Sequence, residues 1–166
     1  WVTDSRGRTY LDLVNGYGAV FLGHAHAGIR AGLEAQGRAL WSSAGFDTEV
    51  ETTARSWVDG VLSPGLRLIQ FYSTGMEAME FALRAAAAIT GRNAFCAFAR
   101  SMHGKSAYTA NLCWSNSLLA CHGTTTLPFG ADVAEETILE RLEEALAPRQ
   151  LAAVVVEPIQ GSNGGL

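Results

Sequence analysis

Leu151 to Val156 is the stretch that most narrows what this chain can become: an apolar run closing on Val154-Val155-Val156, with no polar residue alternating through it. A strand with one face in water alternates polar and apolar side chains. A strand without alternation is buried on both faces, which is the habit of parallel sheets covered by helices. Phe95 to Ala99 is a second such run, and Leu66 to Tyr72 is expected as a further strand. Between them lie helical patterns. Asp47 opens one, with Val50, Ala54, Trp57, Val58, Val61 and Leu62 along a stripe and Ser63-Pro64-Gly65 as its stop. Met76 to Thr90 is apolar nearly all round apart from a ridge of Glu77, Glu80 and Arg84, so it is expected to be enclosed on most sides and to end at Gly91. Asp132-x-x-Glu135 caps a third helix carrying Ile138, Leu139, Leu142, Ala145 and Leu146, closed by Pro148. Gly123-Thr124-Thr125-Thr126 and Pro128 read as loop. The fold class is α/β, a mostly parallel sheet flanked by helices.

Ahead of the sheet, Trp1 to Leu13 alternates around Asp4-Ser5-Arg6-Gly7 and predicts a short hairpin. Gly23-His24-Ala25-His26 leads into a helix with Ile29, Leu33, Leu40 and Trp41 on one face and Arg30, Glu34 and Arg38 on the other. Residues 1–46 thus form an N-terminal segment of hairpin plus helix, and residues 47–166 the sheet domain. His24 and His26 share one face of an extended chain, a spacing that suits a metal. No carboxylate or thiol follows at ligand spacing, so packing or turn histidines, and no metal, are expected.

Ligands of open α/β sheets gather where the strands end. That rule selects Ser73 to Met76, Arg100 to Lys105, and Glu157 to Gly161, and predicts that they face one crevice. Thr74-Gly75-Met76-Glu77 sits where a chain turns into a helix, with unpaired N–H groups and the positive end of the dipole aimed outward at an anion such as phosphate. The same residues spell a capping box, Thr74 with Glu77, which needs no ligand. Both readings stand on the sequence. Ala99-x-x-x-x-Gly104-Lys105-Ser106 also nearly spells the phosphate loop of nucleotide-binding proteins. Against it, the loop lacks its first glycine, and Arg100, Met102 and His103 fill positions where successive N–H groups must wrap phosphate. The acid that would serve magnesium, Glu157, is followed by Pro158.

Composition excludes several classes. A net charge of −4 and a single lysine, Lys105, leave no basic patch for nucleic acid. No apolar run reaches the length of a membrane span. Cys96, Cys113 and Cys121 are odd in number and lack C-x-x-C spacing, which favours reduced thiols in the cytoplasm over disulfides or zinc. The chain opens at Trp1 and stops at Gly164-Gly165-Leu166, which suggests a piece of something longer.

Taken together, Thr9-Tyr10-Leu11-Asp12-Leu13, Gly23-His24-Ala25-His26, Ser73-Thr74-Gly75-Met76-Glu77-Ala78, His103-Gly104 and Val156-Glu157-Pro158-Ile159-Gln160-Gly161 resemble the class III aminotransferases. That family includes ornithine and acetylornithine aminotransferases and glutamate-semialdehyde aminomutase. The resemblance runs from about Val2 to the last residue. It implies part of a type I pyridoxal-phosphate large domain, a homodimer, and transfer of an amino group between an amine or amino acid and a 2-oxo acid or aldehyde. By the resemblance, Thr74, Gly75 and Met76 hold the phosphate of pyridoxal 5'-phosphate. Met102 takes the place of an aromatic ring against the pyridine, with His103 and Gly104 beside it. Glu157 and Gln160 belong to the hydrogen-bond network around the ring, and Tyr17 and Phe46 fall near substrate-lining positions. Ser162 and Asn163 stand where relatives often carry a second glutamate, which leaves the substrate open. The family's catalytic lysine and its acid both fall later than Leu166. No catalytic residue is therefore expected in this chain, and a catalytically silent scaffold is the remaining alternative.

Overall fold

The computed structural model describes residues 1–39, 45–113, 121–130 and 133–165. The chain forms two compact units, Trp1–Leu68 and Ile69–Leu166.

In the first unit, β1 (Val2–Thr3) and β2 (Thr9–Tyr10) pair antiparallel with Val2 opposite Tyr10, which is the expected hairpin in a very short form. Asp4 makes the turn: its carboxylate accepts the N–H groups of Arg6 at 2.9 Å and Arg8 at 3.0 Å. The Arg8 N–H foremost among these bonds holds the Asp4 carboxyl below its ordinary pKa. Helix α1 (Ala27–Gly37) places Arg30 within 3.7 Å of Glu34 one turn on. Leu40 and Trp41 lie outside the described residues. Helix α2 (Glu49–Val61) begins after Thr48, whose hydroxyl accepts the Glu51 N–H, so Thr48 rather than Asp47 is the cap. Its apolar stripe of Val50, Trp57 and Val61 is exposed.

Leu66 to Tyr72, which runs across the boundary between the units, is extended chain and not the expected strand, and it precedes α3 (Gly75–Thr90). A strand exists only by a neighbour's hydrogen-bond ladder, and the described sheets contain none for this segment. Gly91 ends α3 with φ +67°, a left-handed conformation that glycine adopts without a Cβ clash. Then come β3 (Ala94–Phe98), the short α4 (Ala110–Cys113), β4 (Gly123–Leu127), α5 (Glu135–Leu146) and β5 (Ala153–Val154). Gly123 to Thr126 is therefore strand, not loop, and the run from Leu151 to Val156 pairs over a shorter length than its composition predicts. Ala134 caps α5 without a side-chain bond, and Asp132 lies outside the described residues.

Among the described residues the sheet is three-stranded and parallel in the order β4-β3-β5, with Phe95 level with Thr124 on one side and Ala153 on the other. Successive side chains of β3 point to opposite faces, and both faces are covered. Phe95 and Ala97 pack with Leu83 of α3, Leu112 of α4 and Val155. Cys96 and Phe98 pack with Leu127 and, from α5, with Ile138 and Leu142. Burying Phe95 or Leu83 contributes about 1.5–3 kcal/mol each. The expected enclosure of α3 is met on the sheet side alone, since Leu83 is 2% exposed and Ile89 is 84% exposed. The sheet thus sets the ends of β3 and β5 side by side, and the site is built there.

Candidate functional site

The first turn of α3 resolves the rivalry between cap and anion site, because the two use different donors. The Thr74 hydroxyl accepts the Glu77 N–H at 3.2 Å, and the Glu77 carboxylate accepts the Thr74 N–H at 2.9 Å. That completes the capping box. The N–H groups of Gly75 and Met76 are left, among the described residues, without an acceptor, at the positive end of the helix dipole. Built in space, a Cβ on Gly75 would meet no atom within 4 Å, so a ligand can approach its backbone.

Past β3 the chain turns through Arg100, a non-glycine residue at φ +65°, and Ser101, whose hydroxyl donates to the Phe98 carbonyl at 2.7 Å. The loop that follows is held by side chains gripping its backbone. Met102 N–H donates to the Glu157 carboxylate at 2.9 Å, and His103 N–H to the Cys113 sulfur at 2.9 Å. Lys105 N–H reaches the Met76 sulfur at 3.4 Å, and Ser106 N–H the Thr109 hydroxyl at 3.2 Å. A nucleotide phosphate loop needs these N–H groups free to wrap phosphate. Here they are spent on protein, which removes the donors on which that reading depends.

Gly104 sits at φ +132° against α3, with a Cβ position only 2.6 Å from Thr109 Oγ1 and 2.8 Å from Met76 Cγ. No other residue type fits there without moving one of them. Beyond β5, the second Glu157 oxygen accepts the Gly161 N–H at 3.1 Å. Gln160 is 0% exposed, donates to the Ala99 carbonyl at 2.9 Å, and accepts from Asn163 at 2.9 Å. Gln160 therefore spends its amide bracing the loop, and Asn163 is turned toward it.

His103 is 7% exposed, and its Nε2 has no hydrogen-bond partner among the described residues. Burial drives its pKa below the ordinary value, with the Glu157 carboxylate pulling the other way, so the ring is held toward its neutral form. Burial likewise lifts the Cys113 thiol, partly offset by the His103 N–H it accepts. A buried imidazole nitrogen without a partner costs free energy unless something supplies one.

Thr74, Gly75, Met76, Met102, His103, Gly104, Glu157 and Gln160 are thus gathered by direct contacts linking the start of α3, the end of β3 and the end of β5. Tyr17, 99% exposed, and Phe46, also exposed, belong to the unit Trp1–Leu68. In that unit His24 Nε2 lies 3.0 Å from Asp12 Oδ2, a partner that precedes it in sequence. Among the described residues no group of three or more His, Cys, Asp and Glu could hold a metal. Cys113 and Thr109 carry no sequence motif. The spacing of Ser106 and Thr109, whose hydroxyls lie 2.9 Å apart, was the one local signal available, and it bears on Thr109 alone.

A family model for Aminotransferase class-III matches residues 1–166. A putative [LysW]-aminoadipate semialdehyde/glutamate semialdehyde transaminase of Aeropyrum pernix is 34% identical over 168 residues, covering 99% of this chain and 42% of that protein. Among solved structures, a glutamate-1-semialdehyde aminomutase variant of Pseudomonas aeruginosa in complex with PMP has a TM-score of 0.78 at 23% identity, covering 96% of this chain and 36% of that one. A transaminase of the marine bacterium Virgibacillus has a TM-score of 0.82 at 22% identity, covering 96% of this chain and 40% of that one. These likenesses establish the fold as that of the transaminases. The chain spans about two fifths of the length of the curated relatives it matches, 42% and 38% in two of them.

Proposed function

The chain belongs to the class III aminotransferases, and on that footing we propose that the whole protein moves an amino group between an amine or amino acid and a 2-oxo acid or aldehyde, with pyridoxal 5'-phosphate as cofactor. The observation that carries this reading is the meeting of the α3 N-terminus with the ends of β3 and β5. It joins two unspent N–H donors, at Gly75 and Met76, to a buried imidazole, held toward its neutral form, whose Nε2 has no partner among the described residues. That donor set suits an aromatic phosphate: anion donors at one end, a soft thioether and a hydrogen-bonding ring beside it.

In this reading Gly75 and Met76 hold the phosphate through backbone N–H groups, and Thr74 with Glu77 keeps the helix start formed whether or not phosphate is bound. Met102 would meet the ring by its thioether, and His103, with its buried and unpartnered Nε2, would be the hydrogen-bonding group beside it. Glu157 and Gln160 act at one remove, fixing the backbone of Met102 and Ala99. When bound, the cofactor supplies an aldehyde that accepts the amino group and a ring that draws electrons from the carbon losing its proton. Lys105 is the one lysine of the sequence and an exposed side chain, and we assign the proton-shuttling lysine to chain beyond Leu166. Tyr17 and Phe46 are proposed to line the substrate pocket.

A cytoplasmic homodimer is part of the proposal. Cys96, Cys113 and Cys121 are free thiols, as a reducing compartment favours. The apolar stripe of α2 and the outer side of α3 with Ile89 leave exposed surface of the kind that subunits cover. Among the described residues no helix is long and apolar enough to cross a membrane.

The test is spectral. The whole protein, purified with pyridoxal 5'-phosphate, should be yellow after desalting and should bleach on adding an amino donor, with a 2-oxo acid or aldehyde as product. A colourless protein that binds ATP with magnesium would return the phosphate-loop reading, and one that binds neither would leave a silent scaffold.

A further inference from the structure

We propose that Cys113 is a positioning residue of the cofactor site, its sulfur setting the His103-Gly104 turn and thereby the direction of the His103 ring. The inference rests on the reading above and deepens it, since nothing in the sequence pattern assigned Cys113 a part.

The geometry singles out this thiol. Met102 and His103 present consecutive N–H groups, and each is taken by a side chain from a different element: the Glu157 carboxylate beyond β5 and the Cys113 thiol at the end of α4. The sulfur faces carbonyls as well, Gly104 at 3.6 Å and Thr109 at 3.5 Å, so one atom accepts from His103 and donates toward the next residue or its own helix. A thiol can do both, whereas a thiolate or an alanine methyl cannot. The turn has little slack elsewhere, because Gly104 is hemmed in by Thr109 and Met76. The residue so gripped is His103, nine-tenths buried, with a buried Nε2 to which no described residue hydrogen-bonds. A ring in that state has a defined use only if its backbone is fixed, and the Cys113 sulfur is what holds the His103 N–H.

The test uses the whole protein and pyridoxamine 5'-phosphate, which has no aldehyde to react with lysines. Cys113→Ala should weaken its binding about three- to tenfold, the loss of one buried hydrogen bond. Cys113→Ser, which keeps a donor and an acceptor, should return the affinity to within about twofold. Cys121→Ser, at an exposed position, should leave it unchanged. In the unsubstituted protein, iodoacetamide labelling followed residue by residue should show saturating pyridoxamine 5'-phosphate slowing Cys113 several-fold while Cys121 reacts as before. A role confined to stability would lower the unfolding midpoint of Cys113→Ala and leave both affinity and protection unmoved, which would overturn the proposal. Equal binding by the parent and both Cys113 variants would overturn it too, with the cofactor reading intact. Failure of the unsubstituted protein to bind the compound at all would instead remove the reading on which the proposal rests.

Discussion

Replacing Gly104 by alanine should damage both the fold and the site, and the structure fixes how much. At φ +132° an L-residue is strained by about 2 kcal/mol. The new methyl would sit 2.6 Å from Thr109 Oγ1 and 3.1 Å from Met76 Cβ. Met76 Cβ is anchored in the first turn of α3, and Thr109 is fully buried and bonded to Ser106. Neither can swing away as the tip of a long side chain does, so the crowding costs about 2 kcal/mol more. Against this, alanine has a less free unfolded chain, which returns about 0.7 kcal/mol. The net loss is about 3 kcal/mol, read as a lower urea midpoint at unchanged slope. Because the methyl pushes on Met76, the affinity for pyridoxamine 5'-phosphate should fall in parallel. Gly161→Ala is the matched control: a Cβ there meets nothing within 4 Å, so the unfolded-chain effect stands alone and the variant should be as stable as the parent or about 0.7 kcal/mol more stable. If Gly104→Ala proved as stable as that control, the close packing of the β3 loop on α3 would be wrong.

Thr74→Ala removes the acceptor of the Glu77 N–H and should cost about 1 kcal/mol in urea unfolding, with Thr74→Ser recovering most of it. Glu157→Gln keeps one acceptor where the carboxylate served Met102 and Gly161, so it should destabilise by about 1–3 kcal/mol and loosen the β3 loop, seen as faster amide exchange at Met102. Burial holds the His103 pKa below its ordinary value of 6.5. As pH falls the unfolded chain therefore takes up that proton first, so the stability this ring contributes is complete above pH 6.5 and is lost as pH drops through its folded value. His103→Gln should flatten that acid limb in unfolding curves taken across it, and an unchanged limb would mean that the ring is not buried neutral.

What the sequence revealed were features carried by local chemistry. Thr74 and Glu77 form the predicted box, Gly91 stops α3 in a left-handed turn, and the run around Phe95 and Cys96 becomes the buried central strand because both its faces are apolar. The strand-end rule brought Met102 and Glu157 into one place, since the parallel strands β3 and β5 end on the same side, while Met76 reaches them from the start of α3 with no strand before it. What stayed hidden depended on neighbours. Thr124, Thr125 and Thr126 look like loop by polarity, yet they are β-branched and pair on the edge of the sheet beside β3, where half-exposed threonine is well placed. Leu66 to Tyr72 has a strand's composition without a ladder among the described residues. The exposed apolar stripe of α2 shows the same limit, because periodicity marks a face for burial without naming what covers it. Cys113 meets His103 across a turn that no spacing rule encodes.

The central claim is that backbone N–H groups at the start of α3 bind a phosphate. Proline at position 75 tests it by deleting one donor and little else. Gly75 is the first helical residue, where proline is tolerated, and Thr74 before it is already extended at φ −139° and ψ 154°, as a residue preceding proline prefers. The measurement is the affinity of Gly75→Pro for pyridoxamine 5'-phosphate set against its affinity for unphosphorylated pyridoxamine. Loss of one charge-assisted bond predicts a drop of about ten- to a hundredfold for the phosphorylated compound, no change for the other, and an unfolding midpoint near that of the parent. Undiminished binding of the phosphorylated compound by a folded Gly75→Pro variant would contradict the account.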